Sequence, residues 1–151
     1  IHKFIGGKCP VVNFSESKKN MNSVLDIIEN QLIKSVHDCS KGGLTIAISE
    51  LCMTNQIGCN VSLEKIPGEK LDSDKILFSE SHSRYLVTFE NKNLQKLEET
   101  LKKHGVSYSL IGEFTGDSIC FTGDSKPIID LSVDKAQKTW FNSLKEMVLH
   151  A

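Results

Sequence analysis

The sequence has 151 residues, of which 39% are hydrophobic and 25% are charged, and its formal net charge is −1. This length predicts one domain with a sizeable core, and the near-neutral charge argues against nucleic acid as a partner. No apolar run approaches the ~20 residues that a membrane-spanning helix needs, and five cysteines without a CxxC pair argue against a disulfide framework or a zinc site: Cys9, Cys39, Cys52, Cys59 and Cys120.

Residues 1–14 are predicted to be a leading segment or linker strand, and residues 15–151 a single domain. The segment holds Gly6-Gly7 and Pro10 before the apolar pair Val11-Val12, which is typical of a connection to a preceding domain. Because the chain starts with Ile1 and has no signal-peptide pattern, we expect a fragment. The odd number of cysteines favours reduced thiols in the cytoplasm. The first helix is predicted from apolar residues at helical spacing: Met21, Val24, Leu25, Ile28 and Leu32.

Residues 36–50, VHDCSKGGLTIAISE, predict a strand, a tight loop and the start of a second helix. Ser40 is the expected N-cap, because its hydroxyl can accept a hydrogen bond from a first-turn N–H group. The buried face of this helix is expected to carry four residues at i, i+3, i+4 and i+7: Leu44, Ala47, Ile48 and Leu51.

The remaining elements are read from alternation and turn residues. A strand is predicted over residues 59–63, a loop over 64–75, and a strand over 85–89 whose apolar face includes Val87 and Phe89. A helix follows with Leu94, Leu97 and Leu101 on its buried side. Asn91 or Asn93 is expected to cap it, and Gly105 to end it.

Late in the chain, residues 106–114 and 117–122 predict a hairpin, and residues 127–131 an edge-like strand. Ser132 is expected to cap a final helix whose apolar face carries Trp140, Leu144 and either Met147 or Val148. Interleaved helices and strands favour an α+β fold with helices packed on a mixed sheet.

The loop SKGG is the first candidate site. Gly42 and Gly43 lack a Cβ, so a ligand or another backbone can approach their amides. Free amides and the helix dipole attract anions, and Lys41 adds a positive charge. We therefore take Ser40, Lys41, Gly42 and Gly43 as candidate phosphate or nucleotide ligands. The alternative is a capped helix whose glycines only permit close packing.

Glu80, Ser81, His82 and Arg84 form the second candidate, a substrate cleft just before a predicted strand. A carboxylate and hydroxyls can hold a sugar or a phosphate-bearing ligand, and Arg84 can grip an oxyanion with two parallel hydrogen bonds. The alternative is an ion pair between Glu80 and Arg84 that closes the loop.

No residue is assigned a catalytic role. His37 and Asp38 are adjacent on a predicted strand, so their side chains point to opposite faces and cannot converge with Ser40 in a triad. No metal site is predicted, because His37 and His82 lack a His or Cys at ligand spacing. The remaining histidines are expected to be isolated and solvent-exposed: His2, His104 and His150.

Three motifs occur in the order HDCSKGGLTIAISEL, LFSESHSRYLVTF and SLIGEF. In this order they resemble the C-terminal part of the phosphoribosylformylglycinamidine synthase family, whose relatives include aminoimidazole ribonucleotide synthetase, selenophosphate synthetase and a hydrogenase-maturation enzyme. The resemblance runs from about Gly6 to the end of the chain. One departure is Lys41, where the family usually has an acidic residue.

The resemblance implies a mostly antiparallel, partly ferredoxin-like domain of an ATP-dependent ligase in purine biosynthesis. The intact enzyme would use glutamine as amido donor to convert formylglycinamide ribonucleotide to its amidine. ATP and Mg would bind to the preceding domain type, so this part alone is expected to be inactive. The small and large forms of the family's enzyme carry two copies of this domain type. In the first copy, the residues that match Glu80, Ser81 and His82 contact substrate. This chain resembles the second copy more, and in the large form that cleft is associated with a structural nucleotide.

The resemblance also implies partners and a location. The partners would be the N-terminal ATP-binding domains of the same enzyme and the glutaminase and small accessory subunits. A homodimer is possible, and neither nucleic acid nor a membrane is expected as a partner. The location would be cytoplasmic. Two alternatives stay open: a freestanding binding or scaffold domain, and the C-terminal domain of a selenophosphate synthetase or hydrogenase-maturation relative.

Overall fold

The computed structural model describes residues 9–149, apart from the side chains of residues 144–147. The predictions for Gly6-Gly7, His2 and His150, and for the side chains of Leu144 and Met147, therefore lie outside the described residues. The chain divides into two compact units. The first comprises Ile1–Lys41 and Glu80–Val106, and the second comprises Gly42–Ser79 and Ser107–Ala151.

Helices and strands alternate along the described residues until three consecutive strands precede the last helix, and 3-10 turns lie at Leu63–Lys65 and Asn91–Asn93. In chain order the elements are α1 (Phe14–Glu29), β1 (Ser35–Asp38), α2 (Gly43–Asn55), β2 (Cys59–Ser62), α3 (Ser73–Phe78), β3 (Tyr85–Thr88), α4 (Leu94–His104), β4 (Gly112–Phe114), β5 (Ser118–Gly123), β6 (Lys126–Ser132) and α5 (Val133–Leu149). Of the predicted leading segment, residues 9–13 are neither helix nor strand.

The first unit packs α1 and α4 together beside a two-stranded sheet. In that sheet β1 runs antiparallel to β3, with Val36 opposite Val87. Asn13 caps α1, since its side-chain oxygen accepts a hydrogen bond from the Glu16 N–H at 3.1 Å. Four residues of this unit are deeply buried apolar side chains: Ile27, Leu32, Leu97 and Leu101.

The helix predicted from apolar spacing is present as α1, but most of the apolar residues that indicated it are not buried. Met21, Leu25 and Ile28 are about half exposed, at 49%, 50% and 44%, and the helix instead buries Ser23 and Ile27. Ser23 can be buried because its hydroxyl donates a hydrogen bond to the Asn20 carbonyl at 2.8 Å. A polar residue thus occupies the inward face, which apolar periodicity alone cannot detect.

His104 is not the isolated, solvent-exposed residue that the sequence predicted. Its Nε2 lies 2.8 Å from Asp26 Oδ2, which links α4 to α1. This hydrogen bond is the main reason that the pKa of Asp26 is lowered, with the positive charge of Lys103 also contributing. Asn30 donates to the other carboxylate oxygen of Asp26 at 2.6 Å.

Strand β3 is less buried than its alternation predicted. Val87 and Phe89 are half-buried and Tyr85 is 38% exposed, because the sheet formed by the described residues of the first unit has two strands. Asn93, a predicted cap of α4, makes no side-chain cap bond. It donates instead to the Leu32 carbonyl at 3.0 Å.

The second unit contains a four-stranded sheet in the order β4-β2-β5-β6. The predicted hairpin over residues 106–122 is wrong, because β2 lies between β4 and β5 and pairs parallel to β5. The connection from β4 to β5 passes the start of β2, where Gly58 donates to the Gly116 carbonyl at 2.8 Å and accepts from the Thr115 N–H at 2.9 Å.

The final strands follow the prediction. The chain turns from β5 to β6 at Asp124 and Ser125, which have φ of +49° and +59°, and two left-handed residues are typical of a tight hairpin turn. β6 forms the edge of the sheet, as expected. The Ser132 hydroxyl accepts from the Lys135 N–H at 3.3 Å, so the predicted cap of α5 is confirmed.

Helix α2 buries Leu44, Ala47 and Ile48 as predicted, whereas Leu51 is only half-buried. Within the predicted loop 64–75 the chain already begins α3, which buries Leu77. Among the described strands one pairing is parallel and the others are antiparallel. The predicted α+β fold with a mixed, mostly antiparallel sheet is thus confirmed.

No helix within residues 9–149 combines the length and the apolar character that crossing a bilayer requires.

Candidate functional site

Both sequence motifs contribute to one end of the two-stranded sheet in the first unit. β1 ends at Asp38 and continues into Cys39, while β3 is preceded by Arg84. The Cys39 N–H donates to the Arg84 carbonyl at 3.0 Å, which extends the pairing of the strands by one step. Six predicted site residues therefore belong to this end of the sheet: Ser40, Lys41, Glu80, Ser81, His82 and Arg84.

The loop before β3 is held in a defined shape. Ser83 has a left-handed backbone with φ of +61°, and the Arg84 Nε donates to the Ser81 carbonyl at 3.4 Å. The Asn20 amide donates to the Ser83 carbonyl at 3.0 Å and contacts the Ser83 hydroxyl at 3.2 Å. The sequence analysis missed Asn20, because an asparagine inside a helix carries no pattern that points to a distant loop.

The polar side chains at this end are mostly open to solvent. Ser40, Lys41, Ser81 and His82 are exposed, and Arg84 is half-buried. Exposed hydroxyls, an imidazole and two cationic groups can together bind an anionic or sugar-bearing ligand through hydrogen bonds and charge. These are the residue types on which the predicted binding of an oxyanion rests.

Nucleophilic chemistry is not supported by the groups beside this site. Burial raises the pKa of the Cys39 thiol, and although Arg84 opposes that effect the thiol stays neutral near pH 7. A neutral thiol is a poor nucleophile. His37 Nδ1 lies 3.8 Å from Asp38 Oδ1, which is too far for the hydrogen bond that orients a catalytic imidazole.

The two glycines of SKGG belong to the second unit, since the chain passes from the first unit to the second between Lys41 and Gly42. The predicted N-cap at Ser40 is wrong: α2 begins at Gly43 and its N-cap is Gly42, which makes no side-chain cap bond. The helix starts later than predicted because Gly42 and Gly43 are both left-handed, with φ of +78° and +65°.

Close packing accounts for both glycines. A Cβ on Gly43 would lie 2.6 Å from the Ser79 carbonyl oxygen and 3.0 Å from that of Leu77, at the end of α3. A Cβ on Gly42 would overlap the side chain of Ile46. The Thr45 hydroxyl, one turn into α2, also donates to the Leu77 carbonyl at 3.0 Å. Gly43 therefore lets α2 and α3 approach each other, whereas Gly42 makes room for a side chain of α2 itself.

Metal binding finds no support in the described part of the chain, where no group of three or more His, Cys, Asp or Glu side chains is placed to hold an ion.

Comparison with known proteins agrees with the resemblance drawn from the three motifs. Residues 3–122 match the family model for the C-terminal domain of AIR synthase related proteins. Subunit PurL of phosphoribosylformylglycinamidine synthase from Thermococcus sibiricus is 36% identical over 143 residues, which cover 94% of this chain and 19% of that protein. The chain thus spans about a fifth of the length of the curated relatives it matches.

Solved structures share the fold. A structure of T. maritima PurL complexed with FGAR matches 85% of this chain and 22% of its own, with a TM-score of 0.79 and 21% identity. A HypE–HypF complex matches 77% of this chain and 40% of its own, with a TM-score of 0.59 and 18% identity. Since the family model matches most of the chain and the same fold recurs in these structures, the chain belongs to the AIR synthase related family and carries its C-terminal domain.

Proposed function

We propose that this chain acts as the C-terminal domain of a phosphoribosylformylglycinamidine synthase. The whole enzyme would convert formylglycinamide ribonucleotide, glutamine and ATP to the amidine, glutamate, ADP and phosphate in the cytoplasm. The observation that carries this proposal is the 36% identity with a PurL subunit across 94% of the chain. PurL of T. maritima has also been crystallised with ATP, which supports ATP use by the intact enzyme, with Mg bound beside it in the preceding domains.

Within that enzyme, the polar end of the first unit would bind a phosphate or sugar. Arg84 is half-buried and next to the strand pairing, so its guanidinium can grip an oxyanion at little entropic cost. Ser81 and His82 would add hydrogen bonds, and Glu80 would accept one from a sugar hydroxyl. The amides at the start of α2, which begins at Gly43, form a separate proposed anion site in the second unit.

Lys41 would change how this end binds its ligand. An acidic residue, which the resemblance implies at this position, would bind a phosphate through a bridging metal ion. An exposed lysine attracts the phosphate directly and repels the metal. We therefore expect direct, metal-independent anion binding, with Lys41 contributing about 1 kcal/mol because the side chain is exposed.

Phosphate titration followed by amide NMR shifts tests this site. We expect saturable shifts in residues 80–84 and 40–41, and Lys41→Ala should weaken them about fivefold, which corresponds to about 1 kcal/mol. Lys96→Ala, at another exposed lysine of the first unit, is the matched control and should change nothing. An unchanged spectrum at saturating phosphate would refute anion binding at this end. Shifts confined to residues 42–46 would assign the anion to the α2 amides.

The exposed face of α1 supports a docking role toward the N-terminal domains of the same enzyme. Phe14, Met21, Leu25 and Ile28 are between 44% and 82% exposed on one helix. Contiguous exposed apolar residues are unusual in a monomer and mark interaction sites. The glutaminase and accessory subunits, and a second copy of the chain, are further proposed partners.

Sedimentation analysis tests this docking role. The chain by itself should self-associate through α1, and Leu25→Glu should restore a monomer. Glu29→Gln, on the same helix but outside the apolar set, should leave the self-association unchanged. A strict monomer at high concentration would favour a freestanding domain.

A further inference from the structure

Asn20 ties the loop before β3 to helix α1, although the two lie 63 positions apart in the sequence. Its side-chain amide donates to the Ser83 carbonyl at 3.0 Å and to the Ser83 hydroxyl at 3.2 Å. The helix backbone at this point is itself secured, because the Asn20 carbonyl accepts a hydrogen bond from the buried Ser23 hydroxyl at 2.8 Å. A rigid element of the same unit therefore holds Ser83 from outside its own loop.

The backbone of Ser83 needs a partner of this kind. Its φ of +61° lies in the left-handed region, which a residue with a Cβ adopts only at an energetic cost and which glycine adopts freely. Such a conformation persists where the surrounding structure fixes it. The two hydrogen bonds from Asn20 fix it here and offset its cost.

The conformation of Ser83 sets the direction in which the loop meets β3. On one side of Ser83, the Arg84 carbonyl accepts from the Cys39 N–H at 3.0 Å, so strand pairing fixes the backbone of Arg84. On the other side, the Ser81 carbonyl accepts from the Arg84 Nε at 3.4 Å. A change of φ at Ser83 would therefore move Ser81 and His82 relative to Arg84.

We propose that Asn20 is a positioning residue of the oxyanion site, because it holds Ser83 in the shape that turns the side chains on either side toward one ligand. This inference rests on the anion binding proposed above for the polar end of the first unit. Asn20 acts through Ser83 and not on the ligand, since both amide hydrogens are donated to Ser83.

The expected effect follows from the fraction of molecules whose loop has the binding shape. When that fraction falls, the apparent affinity falls in proportion. The net strength of one hydrogen bond corresponds to about a fivefold change in that equilibrium. Loss of the Asn20 amide should therefore weaken anion binding about fivefold, while the groups that contact the anion stay in the chain.

Phosphate titration of Asn20→Ala, followed by the amide NMR shifts of residues 80–84, tests this role. We expect a Kd about fivefold above that of the wild type. The Cα and Cβ shifts of Ser83 should also change without phosphate, because they report its backbone conformation. Asn22→Ala makes the same change at an exposed asparagine of the same helix and should bind phosphate as the wild type does. Urea melts establish that each variant is folded.

A second substitution separates positioning from a general loss of structure. Ser83→Gly, added to Asn20→Ala, supplies a residue that adopts the left-handed backbone without help, so it should recover much of the lost affinity. A role of Asn20 in the stability of α1 alone would not be repaired by a change in the loop. The proposal is overturned if folded Asn20→Ala binds phosphate as tightly as the wild type, or if Ser83→Gly recovers nothing.

The wild-type titration distinguishes failure of this role from failure of the site. Without saturable shifts at residues 80–84 of the wild type, the anion site is refuted, and the role of Asn20 with it. Where the wild type binds, the side-chain amide signals of Asn20 should shift with the same Kd as the loop, since the anion and Asn20 favour the same loop shape. Unchanged Asn20 signals at saturating phosphate would overturn the positioning role, even if Asn20→Ala does not fold.

Discussion

Replacement of Gly43 by alanine separates the two explanations of the SKGG loop. Gly43 and Gly116 both belong to the second unit and have nearly the same backbone, with φ of +65° and +67°. An alanine at Gly116 would meet nothing within 4 Å, whereas at Gly43 it would lie 2.6 Å from the Ser79 carbonyl oxygen. Gly116→Ala is therefore a matched control for the backbone conformation alone.

The expected losses follow from these contacts. A left-handed backbone costs a residue with a Cβ about 1–2 kcal/mol, and this term applies to both variants. Overpacking against the fixed carbonyl groups of α3 adds about 1–3 kcal/mol for Gly43→Ala only. The change in unfolded-chain entropy is the same in both variants and cancels in the difference. We expect Gly43→Ala to lose about 2–5 kcal/mol of unfolding free energy and Gly116→Ala about 1–2 kcal/mol.

Urea denaturation of the three proteins measures these losses, provided that the m-values agree. Equal losses in the two variants would refute the packing argument. Repeating the melts in phosphate adds a second readout, because a ligand that binds only the native state raises its stability by RT ln(1 + [L]/Kd). If the glycine amides hold an anion, phosphate should stabilise the wild type more than Gly43→Ala. If the glycines serve packing alone, the shift should be the same in both.

Three further predictions concern the core, pH and activity. Phe121→Ala should lower the unfolding free energy by about 3–5 kcal/mol because Phe121 is 0% exposed. Phe89 is half-buried, so Phe89→Ala should lower it by less than half as much. Equal losses in urea melts would contradict this difference in burial. Lys34 and Lys92 lower the pKa of Glu90 to about 2. The ion pairs of Glu90 therefore stabilise the folded protein fully above the usual pKa of 4.5, and this stabilisation is lost as the pH falls toward 2. Glu90→Gln should destabilise the protein near pH 6 but not near pH 2, and a pH-independent difference would exclude the ion pairs. The purified 151-residue chain should neither hydrolyse ATP nor form the amidine with ammonia, and turnover above background would refute the proposal that catalysis needs the N-terminal ATP-binding domains.

Local patterns predicted the elements, but not how strands pair across the chain. The strand at residues 59–63 was expected from alternation and is present as β2. Its position between β4 and β5 depends on pairings between residues far apart in sequence, such as Cys59 with Ile119. Turn-forming residues favour a hairpin between the two strands that flank them. Thr115 and Gly116 therefore suggested that β4 pairs with β5, whereas each of these strands pairs with β2.

The candidate site was predictable in its residue types and its place in the chain, but not in its long-range contacts. The residue types of Ser81 and Arg84 indicated anion chemistry, and the strand pattern placed them before β3. The contact of Asn20 with Ser83, by contrast, joins residues 63 positions apart and has no local signature. The predicted N-cap at Ser40 is wrong because Gly42 and Gly43 are both left-handed, so the helix begins after them. The preference of serine for the N-cap position does not reveal the backbone conformation of the glycines that follow.

The SKGG loop therefore contains two kinds of information. Gly42 and Gly43 are both required by a left-handed backbone, and Gly43 also by the approach of α2 to α3, so both serve the fold whatever the loop binds. Lys41 is exposed, and no packing constraint determines its identity. A substitution at Lys41 can therefore change the charge offered to a ligand without changing the fold. If this loop binds an anion as proposed, we expect Lys41, more than the glycines, to set the strength of that binding.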